Sequence, residues 1–322
     1  MCTAASFKTK DSYFGRNFDY EISYDERVTV TPNNYELKFK NEDNLKTHHA
    51  ILGITAGIDE YPLYYDAVNE KGLAMAGLNF DGYAKYSHEL ESDQINLAEF
   101  EFIPYILGKC NNVKEARKIV ENLNMLDTPF SDNLPVSPLH WMIADKDSSI
   151  VVEYTDKGLN IFNNPVGILT NNPTFDIQLF NLNNYMRVSN ENPKDTFTKT
   201  YQLTDYSRGM GGLGLPGDYS SMSRFVKAVF VSQNSIAEES EISSVNQFFH
   251  ILGSVEQPKG ATLVSSNPDE YEYTIYSSCM NLDKGILYYR TYDNLAINSV
   301  ELNSFDLSGK DLINIDFKKE VI

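Results

Sequence analysis

The order of strand-like and helix-like segments is the feature that most restricts the fold of this chain. Four early segments, SYFGRNFDY, RVTVTP, AILGITAGI and GLAMAGLNF, are rich in β-branched, aromatic and small apolar residues, with polar turn clusters between them. A helical pattern follows at LAEFEFIPYILGKC, where Pro104 suggests a kink or a late start. A second lies at VKEARKIVENL, with Asn112 as N-cap and one apolar face formed by Val113, Ala116, Ile119, Val120 and Leu123.

Strands return in the middle of the chain, at LHWMIAD, SIVVEYT, LNIFNN and GILTN, and turn residues between the first three favour antiparallel hairpins. Helical patterns recur at FDIQLFNLNNYM, SRFVKAVFVSQ and VNQFFHILGSV, and the stretch from YTIYSSC to SVELN indicates a strand meander. Grouped strands and helices predict an α+β fold rather than regular βαβ alternation. No repeat or long linker divides the chain, so we expect one domain.

Bulk composition excludes several classes of partner. The formal net charge of −18 disfavours nucleic acid and anionic membranes as partners, and it leaves local arginines to hold any anionic substrate. No apolar run approaches the roughly 20 residues of a membrane span, and MCTAASFKTK lacks the apolar segment of a signal peptide. The three cysteines, Cys2, Cys110 and Cys279, are too few and too scattered for a disulfide framework. We therefore expect a soluble cytoplasmic protein without membrane insertion, with Cys110 and Cys279 as buried thiols.

Familiar metal and phosphate motifs are absent from the sequence. The five histidines show no zinc-ligand spacing, and no G-x-S-x-G elbow is present. The glycine-rich GMGGLGLPGD lacks the Lys-Ser/Thr of a phosphate loop and does not follow a clear strand, so it indicates a loop.

Cys2 has two interpretations. It could be an apolar residue under the first strand, or it could become the first residue once Met1 is removed, as happens when the second side chain is small. In the second case one residue carries a thiol and an α-amine whose pKa of about 7.7–8.0 suits a general base. Nucleophile and base then share a residue, as in enzymes with an N-terminal threonine.

Arg16 and Asp19, in the strand-like SYFGRNFDY, strengthen the catalytic interpretation. If that strand pairs with the one carrying Cys2, it brings a cation to the thiolate and a carboxylate to the ammonium. An ion pair on the surface of a hairpin is the alternative.

Six motifs in fixed order carry a family resemblance: MCT, FGRNFD, NEKGLAMAGLNF, LHWMIAD with SIVVE, GILTNNPTFD and GLGLPGDYSSMSRF. Together they resemble the choloylglycine hydrolase family, and within it the bile salt hydrolases, over almost the whole chain. The resemblance implies an N-terminal-nucleophile hydrolase, with a four-layer αββα sandwich of two antiparallel sheets over residues 2–322. It also implies hydrolysis of an amide bond, no metal or cofactor, and a homotetramer.

Roles for six residues follow from this resemblance. Cys2 would be the nucleophile with its own amine as base, Arg16 would lie against the sulfur, and Asp19 would orient the α-amine. Asn79 of AGLNF would donate to the oxyanion. Asn171 of LTNNP would hold the N-terminal region and line the oxyanion site, and Arg224 of SMSRF would lie near Cys2 and the charged end of the substrate. The last three also have structural interpretations: Asn79 as a turn or strand-end residue, Asn171 as part of an Asn-Asn-Pro turn, and Arg224 as a charge on a helix surface.

The substrate depends on the pocket. Family members release glycine or taurine from conjugated bile acids, or the side chain of penicillin V, and an asparagine in AGLNF resembles the bile salt hydrolase branch. A steroid needs a broad apolar wall, for which we select six residues that could equally be ordinary core: Phe18, Ile58, Tyr61, Tyr65, Phe130 and Leu134. The alternatives are a penicillin V acylase-type amidase and a steroid- or lipid-binding protein without catalysis.

Overall fold

A computed structural model describes residues 1–264 and 269–318 of the chain. The strands are β1 (Cys2–Lys8), β2 (Ser12–Tyr20), β3 (Arg27–Thr31), β4 (Ile51–Thr55), β5 (Tyr64–Asn69), β6 (Ala74–Asn79), β7 (Ile95–Ala98), β8 (Leu123–Leu126), β9 (Leu139–Ala144), β10 (Ser149–Thr155), β11 (Gly158–Asn163), β12 (Ile168–Leu169), β13 (Thr262–Leu263), β14 (Tyr271–Asn281), β15 (Ile286–Thr291), β16 (Asn298–Glu301) and β17 (Ile313–Asp316). The helices are α1 (Glu99–Lys109), α2 (Val113–Val120), α3 (Phe175–Asn181), α4 (Ser221–Asn234) and α5 (Glu241–Gly253).

Two large antiparallel sheets form the centre of the molecule. One has the strand order β12-β1-β2-β14-β15-β16, with β13 added beside β14, and the other has the order β11-β10-β9-β6-β5-β4-β3-β17. The short strands β7 and β8 form a separate parallel pair. The predicted β9–β10 and β10–β11 hairpins and the meander from β14 to β16 are all present.

Helices cover both outer faces of the paired sheets. Helices α4 and α5 pack on the sheet that contains β1, whereas α1 and α2 pack on the other sheet. Strand β1 also contacts β6 across the interface between the sheets. One apolar cluster fills the space between the sheets and under α4 and α5, and a second lies beneath α1 and α2. The layers are therefore helix, sheet, sheet, helix, and the predicted α+β class and αββα architecture are confirmed.

Strand β2, which carries Arg16 and Asp19, lies between β1 and β14. Its burial is nearly complete along its whole length. At Gly15 the backbone of β14 approaches so closely that a Cβ atom would clash with the Ser278 carbonyl oxygen. Glycine therefore permits the close β2–β14 contact. The nearby Arg16 backbone is held against β14 as a result.

Three local expectations needed correction. Helix α1 begins at Glu99 and runs through Pro104, so there is no late start; the Glu101 carboxylate accepts the Ala98 N–H at 2.9 Å and supports the first turn. Asn112 caps α2 as predicted, but the helix ends at Val120, and Leu123 belongs to β8. Strand β5 was not predicted, because a buried aspartate interrupts its apolar pattern.

Long apolar helices and metal-ligand clusters were both sought in the part of the chain that the structure describes. No helix there is long and apolar enough to cross a membrane. No group of three or more His, Cys, Asp or Glu side chains there is arranged to hold a metal ion. The GMGGLGLPGD segment forms a loop with a short 3₁₀ turn at Met210–Gly212, as its composition predicted.

Candidate active site

The pairing of β1 with β2 divides the site into two faces. Cys2 pairs with Phe18, and Ala4 pairs with Arg16. Directly opposed residues of an antiparallel pair point to the same side of a sheet, so Cys2, Arg16 and Phe18 share the face that looks toward the second sheet. Asp19 belongs to the alternate set, which faces the helices. The Cys2 thiol therefore lies on one face of the sheet, and the Asp19 carboxylate lies on the other.

Arg16 occupies the sulfur side. Its guanidinium is fully buried and donates from Nη1 to the carbonyl oxygens of Tyr65 at 3.1 Å and Gly77 at 2.5 Å, both in the second sheet. Burial by itself lowers the pKa of Arg16, but Cys2, Tyr276 and nearby carboxylates raise it, and the net pKa lies above its ordinary value. A buried positive charge therefore lies on the face of the sheet to which the Cys2 thiol also points.

Asn171 and Arg224 hold the Cys2 backbone from the other side. The Cys2 N–H donates to Asn171 Oδ1 at 2.7 Å, and Arg224 Nη1 donates to the Cys2 carbonyl oxygen at 2.6 Å. Arg224 also donates to Asn171 Oδ1 at 2.8 Å and to Thr3 Oγ1 at 2.7 Å. The Arg224 side chain is 1 % exposed. Its donors face the protein, so the geometry suits a residue that fixes Cys2 rather than one that meets the charged end of a substrate.

Asp19 is buried beside the chain terminus. Its carboxylate accepts hydrogen bonds from Thr274 Oγ1 at 2.6 Å and Gln257 Nε2 at 3.1 Å. The Met1 α-amine donates to the Asp19 backbone carbonyl at 2.9 Å, and that oxygen lies 3.8 Å from Cys2 Sγ. Burial lowers the pKa of this α-amine below its ordinary 8.0, although Cys2 and Asp19 oppose the shift. The Glu272 carboxylate also contacts this α-amine, so burial favours the neutral amine and the neighbouring carboxylate favours the charged one.

Asn79 ends β6, the strand that faces β1 across the two sheets. Its backbone oxygen accepts from Asn171 Nδ2 at 2.7 Å, and its Oδ1 accepts the Asp81 N–H at 3.1 Å. Its Nδ2 group has no hydrogen-bond acceptor among residues 1–264 and 269–318. Asn79 is only half-buried, so this amide is available to a ligand oxygen.

The six proposed wall residues separate into groups. Phe18 stacks on Tyr276 with ring centroids 5.2 Å apart and packs against Tyr65 at 4.4 Å. Tyr61 packs instead against Phe130, at 5.9 Å, and against Phe100 of α1. Ile58 and Leu134 are half-buried loop residues. Phe18 and Tyr65 form the group that adjoins Cys2. The Tyr61 hydroxyl, in the other group, is buried and has no hydrogen-bond partner in the part of the chain that the structure describes.

A buried His140–Glu153 pair, which the sequence did not reveal, supports both asparagines. His140 Nδ1 lies 3.1 Å from Glu153 Oε1, and its Nε2 donates to the Thr170 carbonyl oxygen at 2.7 Å. The imidazole stacks on Phe80 with centroids 4.2 Å apart. Thr170 and Phe80 adjoin Asn171 and Asn79 in sequence, so the pair joins the two segments. His140 therefore pairs with Glu153, which lies 13 residues further along the chain on a neighbouring strand, and this pairing became visible only in the fold.

The other two cysteines lie apart from these groups, in apolar surroundings. Burial raises the pKa of the Cys110 thiol to about 12, and it raises that of Cys279 well above the ordinary value of 9.0. Both residues are therefore inert buried thiols, as predicted. Cys2 itself is 3 % exposed with Met1 beside it.

Comparison with known proteins gives a consistent result over the whole chain. Residues 2–315 match the family model described as linear amide C–N hydrolases, choloylglycine hydrolase family. A bile salt hydrolase/transferase of Lactiplantibacillus plantarum is 56 % identical over 99 % of this chain and 98 % of its own length. A bile salt hydrolase/transferase of Clostridium perfringens is 38 % identical, with 99 % and 98 % covered.

Solved structures agree with the sequence matches. The C2A mutant of the conjugated bile acid hydrolase from Clostridium perfringens superimposes with a TM-score of 0.91 at 37 % identity, covering 99 % of this chain and 98 % of that one. The penicillin V acylase from Agrobacterium tumefaciens gives a TM-score of 0.77 at 18 % identity, covering 98 % and 91 %, which shows a shared fold.

Proposed function

Because this chain belongs to the choloylglycine hydrolase family of linear amide C–N hydrolases, we propose that it hydrolyses the amide bond of glycine- and taurine-conjugated bile acids through Cys2. The observation that carries the proposal is the set of contacts around one residue. Asn171 and Arg224 hold the Cys2 backbone, while the buried charge of Arg16 lies on the face of the sheet that carries the Cys2 side chain. A buried thiol with a merely structural role would need none of these.

The first step of the proposal is removal of Met1. The nitrogen that now donates to Asn171 Oδ1 becomes an α-amine, which can retain that hydrogen bond at 2.7 Å and gains a lone pair. Its ordinary pKa of about 7.7–8.0 provides a substantial neutral fraction near pH 7.5. The amine takes the thiol proton, and Asp19 with its Thr274 and Gln257 partners supplies the negative charge that balances the ammonium. Removal of Met1 also uncovers the sulfur.

Attack on the substrate follows. Arg16 favours the thiolate because an opposite charge in a desolvated site stabilises the ionised form. The sulfur adds to the amide carbonyl carbon, and Asn79 Nδ2 donates to the resulting oxyanion. One such donor contributes about 3–4 kcal/mol to stabilising the transition state. The α-ammonium returns its proton to the leaving nitrogen of glycine or taurine, which leaves a thioester on Cys2.

Hydrolysis of the thioester completes the cycle. The neutral α-amine accepts a proton from a water molecule as that water attacks the thioester carbonyl. The carbon–sulfur bond breaks, the bile acid leaves as a carboxylate, and the thiol is restored. Every step is proton transfer or nucleophilic substitution by these side chains, so the proposal needs no metal or cofactor.

The steroid is the preferred acyl group for two reasons. The relatives at 56 % and 38 % identity are named for bile salts, whereas the penicillin V acylase is similar in fold alone. The aromatic cluster of Phe18, Tyr65 and Tyr276 next to Cys2 offers an apolar wall. The alternative penicillin V activity uses the same catalytic groups and differs in how the acyl part fits.

A side-by-side assay of glycocholate, taurocholate and penicillin V tests the substrate. We expect release of glycine and taurine with at least tenfold higher kcat/KM than penicillin V, a preference of about 1.4 kcal/mol or more. The Cys2→Ala variant should bind cholate conjugates without turnover. Equal or faster penicillin V hydrolysis would reverse the substrate assignment. Binding without turnover by the parent would favour the non-catalytic steroid-binding alternative.

Acyl transfer is a second activity, favoured by the names of both relatives, which include transferase. The same thioester can be attacked by an amino acid instead of water, which forms a new amide and restores the thiol. Incubation of glycocholate with excess taurine should then produce taurocholate. Formation of free cholate alone at every taurine concentration would exclude this activity.

Self-association, as a homotetramer of single-domain subunits spanning residues 2–322, is the remaining part of the proposal. Its support is an exposed apolar segment after β12: Phe180, Met186, Phe197 and Tyr206 are each at least 75 % exposed in the single chain. Light scattering should give four times the subunit mass of 36.5 kDa, and a monomer mass would refute the tetramer.

A further inference from the structure

Asp66, on β5, is a fully buried carboxylate beside the catalytic groups. It comes from the second sheet and faces β14 of the first sheet, so it bridges the two sheets. Nothing in the proposed reaction uses it. A buried carboxylate is costly unless its oxygens are hydrogen-bonded and its charge is matched, and both conditions are met here.

Hydrogen bonds link Asp66 to β14 and, through Ser278, to the backbone of Arg16. The Arg16 backbone N–H donates to Ser278 Oγ at 3.1 Å. The Ser278 hydroxyl then donates its own proton to Asp66 Oδ2 at 2.7 Å, and the Tyr276 hydroxyl donates to Asp66 Oδ1 at 2.5 Å. Both carboxylate oxygens therefore have a hydrogen-bond partner on β14.

Two opposing effects act on the Asp66 carboxyl group. Burial raises its pKa above the ordinary value, while the Arg16 guanidinium and the two hydroxyl donors oppose that shift. Arg16 also has a buried Nη2 group with no partner in the described part of the chain. Its charge is thus balanced through space by Asp66 and by Cys2 rather than by a direct ion pair.

Other charged groups face the same region from neighbouring elements. From the helix side of the sheet, Asp19 of β2 raises the pKa of the terminal α-amine and Arg224 of α4 lowers it. Glu26, which precedes β3, contributes to raising the pKa of the Tyr276 hydroxyl. Among these groups, Asp66 is the one joined to Arg16 by a hydrogen-bonded path through Ser278.

We propose that Asp66, together with Ser278 and Tyr276, is a positioning residue that fixes Arg16 against Cys2 and sets the pH range in which the Cys2 thiolate forms. The inference rests on the proposed function, in which that thiolate is the nucleophile. Asp66 holds the backbone of Arg16 through Ser278 and neutralises part of its charge. Without the carboxylate, the whole positive charge of Arg16 would act on the sulfur.

The test uses the Asp66→Asn variant, which is isosteric and keeps an oxygen acceptor. We follow alkylation by iodoacetamide against pH in the mature protein, with the modified tryptic peptide covering residues 2–8 as readout. Loss of the negative charge should shift the Cys2 profile to lower pH by on the order of half a unit, because a buried charge acts at an effective dielectric constant of about 20. An unshifted profile, or a shift to higher pH, overturns the proposal.

Alkylation separates this proposal from the proposed function because no bile salt is involved. If Cys2 of the parent reacts no faster than the buried Cys110 and Cys279, the nucleophile assignment fails. If Cys2 reacts readily and Asp66→Asn leaves its profile unchanged, the Asp66 proposal alone fails. A role limited to packing would reduce stability without moving the profile.

Tyr276→Phe and Ser278→Ala keep the charge and serve as controls, and they replace Asp66→Asn if that variant does not fold. Tyr276→Phe retains the ring that stacks on Phe18 and loses one donor to Asp66. We expect alkylation profiles within about 0.2 pH unit of the parent, but kcat lowered roughly threefold or more with KM nearly constant, because Arg16 is less firmly held. Unchanged kcat in both variants would contradict the positioning role.

Discussion

Asn171→Ala gives the most quantitative prediction, because one buried side chain makes three short hydrogen bonds. Its Oδ1 accepts from the Cys2 N–H and from the Arg224 guanidinium, and its Nδ2 donates to the Asn79 carbonyl oxygen. The bond to the charged Arg224 contributes about 1.5–3 kcal/mol, and each neutral bond about 0.5–1.5 kcal/mol. We therefore expect the free energy of unfolding to fall by about 2.5–6 kcal/mol.

Urea unfolding measures this loss, followed by the fluorescence of the single, fully buried Trp141 at fixed protein concentration. Asn172→Ala is the matched control, because the neighbouring amide makes one exposed hydrogen bond, to the Asp81 carbonyl oxygen. The control should lose less than about 1 kcal/mol. A loss below about 1 kcal/mol in Asn171→Ala, equal to its control, would refute the reasoning that these bonds hold the site together.

Three further predictions concern single side chains. Asn79→Ala should lower kcat by about 100- to 1,000-fold with little change in KM, since its Nδ2 group donates only to the oxyanion; a change confined to KM would contradict that role. Burial raises the pKa of Glu99 from 4.5 to about 7, so the folded state binds the extra proton. Stability should therefore fall by up to about 3 kcal/mol as pH rises from 4.5 to 7, and Glu99→Gln should remove that dependence in urea titrations at both pH values. Tyr61→Phe removes a buried hydroxyl that lacks a partner among the described residues, so unfolding should cost the same or up to about 1 kcal/mol more; a loss above 1 kcal/mol would indicate a hidden hydrogen bond.

Local sequence pattern was sufficient to predict the strand that carries Arg16 and Asp19. SYFGRNFDY was predicted as a strand, and its pairing with the strand that carries Cys2 was one of two interpretations. In the structure Cys2 pairs with Phe18, which places Arg16 on the face of the thiol and Asp19 near the terminus. Because successive residues alternate faces, the same register explains why these two charges lie on opposite sides of the sheet. Resemblance to a family supplied Asn79, Asn171 and Arg224, which local pattern alone would have assigned to turns and a helix surface.

Contacts between distant strands could not be predicted from the sequence. Asp66 meets Tyr276 and Ser278 across 210 and 212 residues, and it interrupts the apolar pattern by which β5 could have been recognised. His140 and Glu153 were similarly invisible as a pair. Arg224 was expected near Cys2 and the charged end of the substrate, and its complete burial and its bonds to Cys2 and Asn171 emerge only when α4 packs on the sheet.

The most direct test of the central claim is mass spectrometry of the purified protein, first intact and then after rapid acid quenching during turnover of glycocholate. We expect a chain without Met1, and a cholyl thioester that is confined to the peptide Cys2–Lys8 and disappears when substrate is exhausted. Retention of Met1 in an active enzyme, or an acyl group on any other residue, would contradict the assignment of Cys2 as both nucleophile and base.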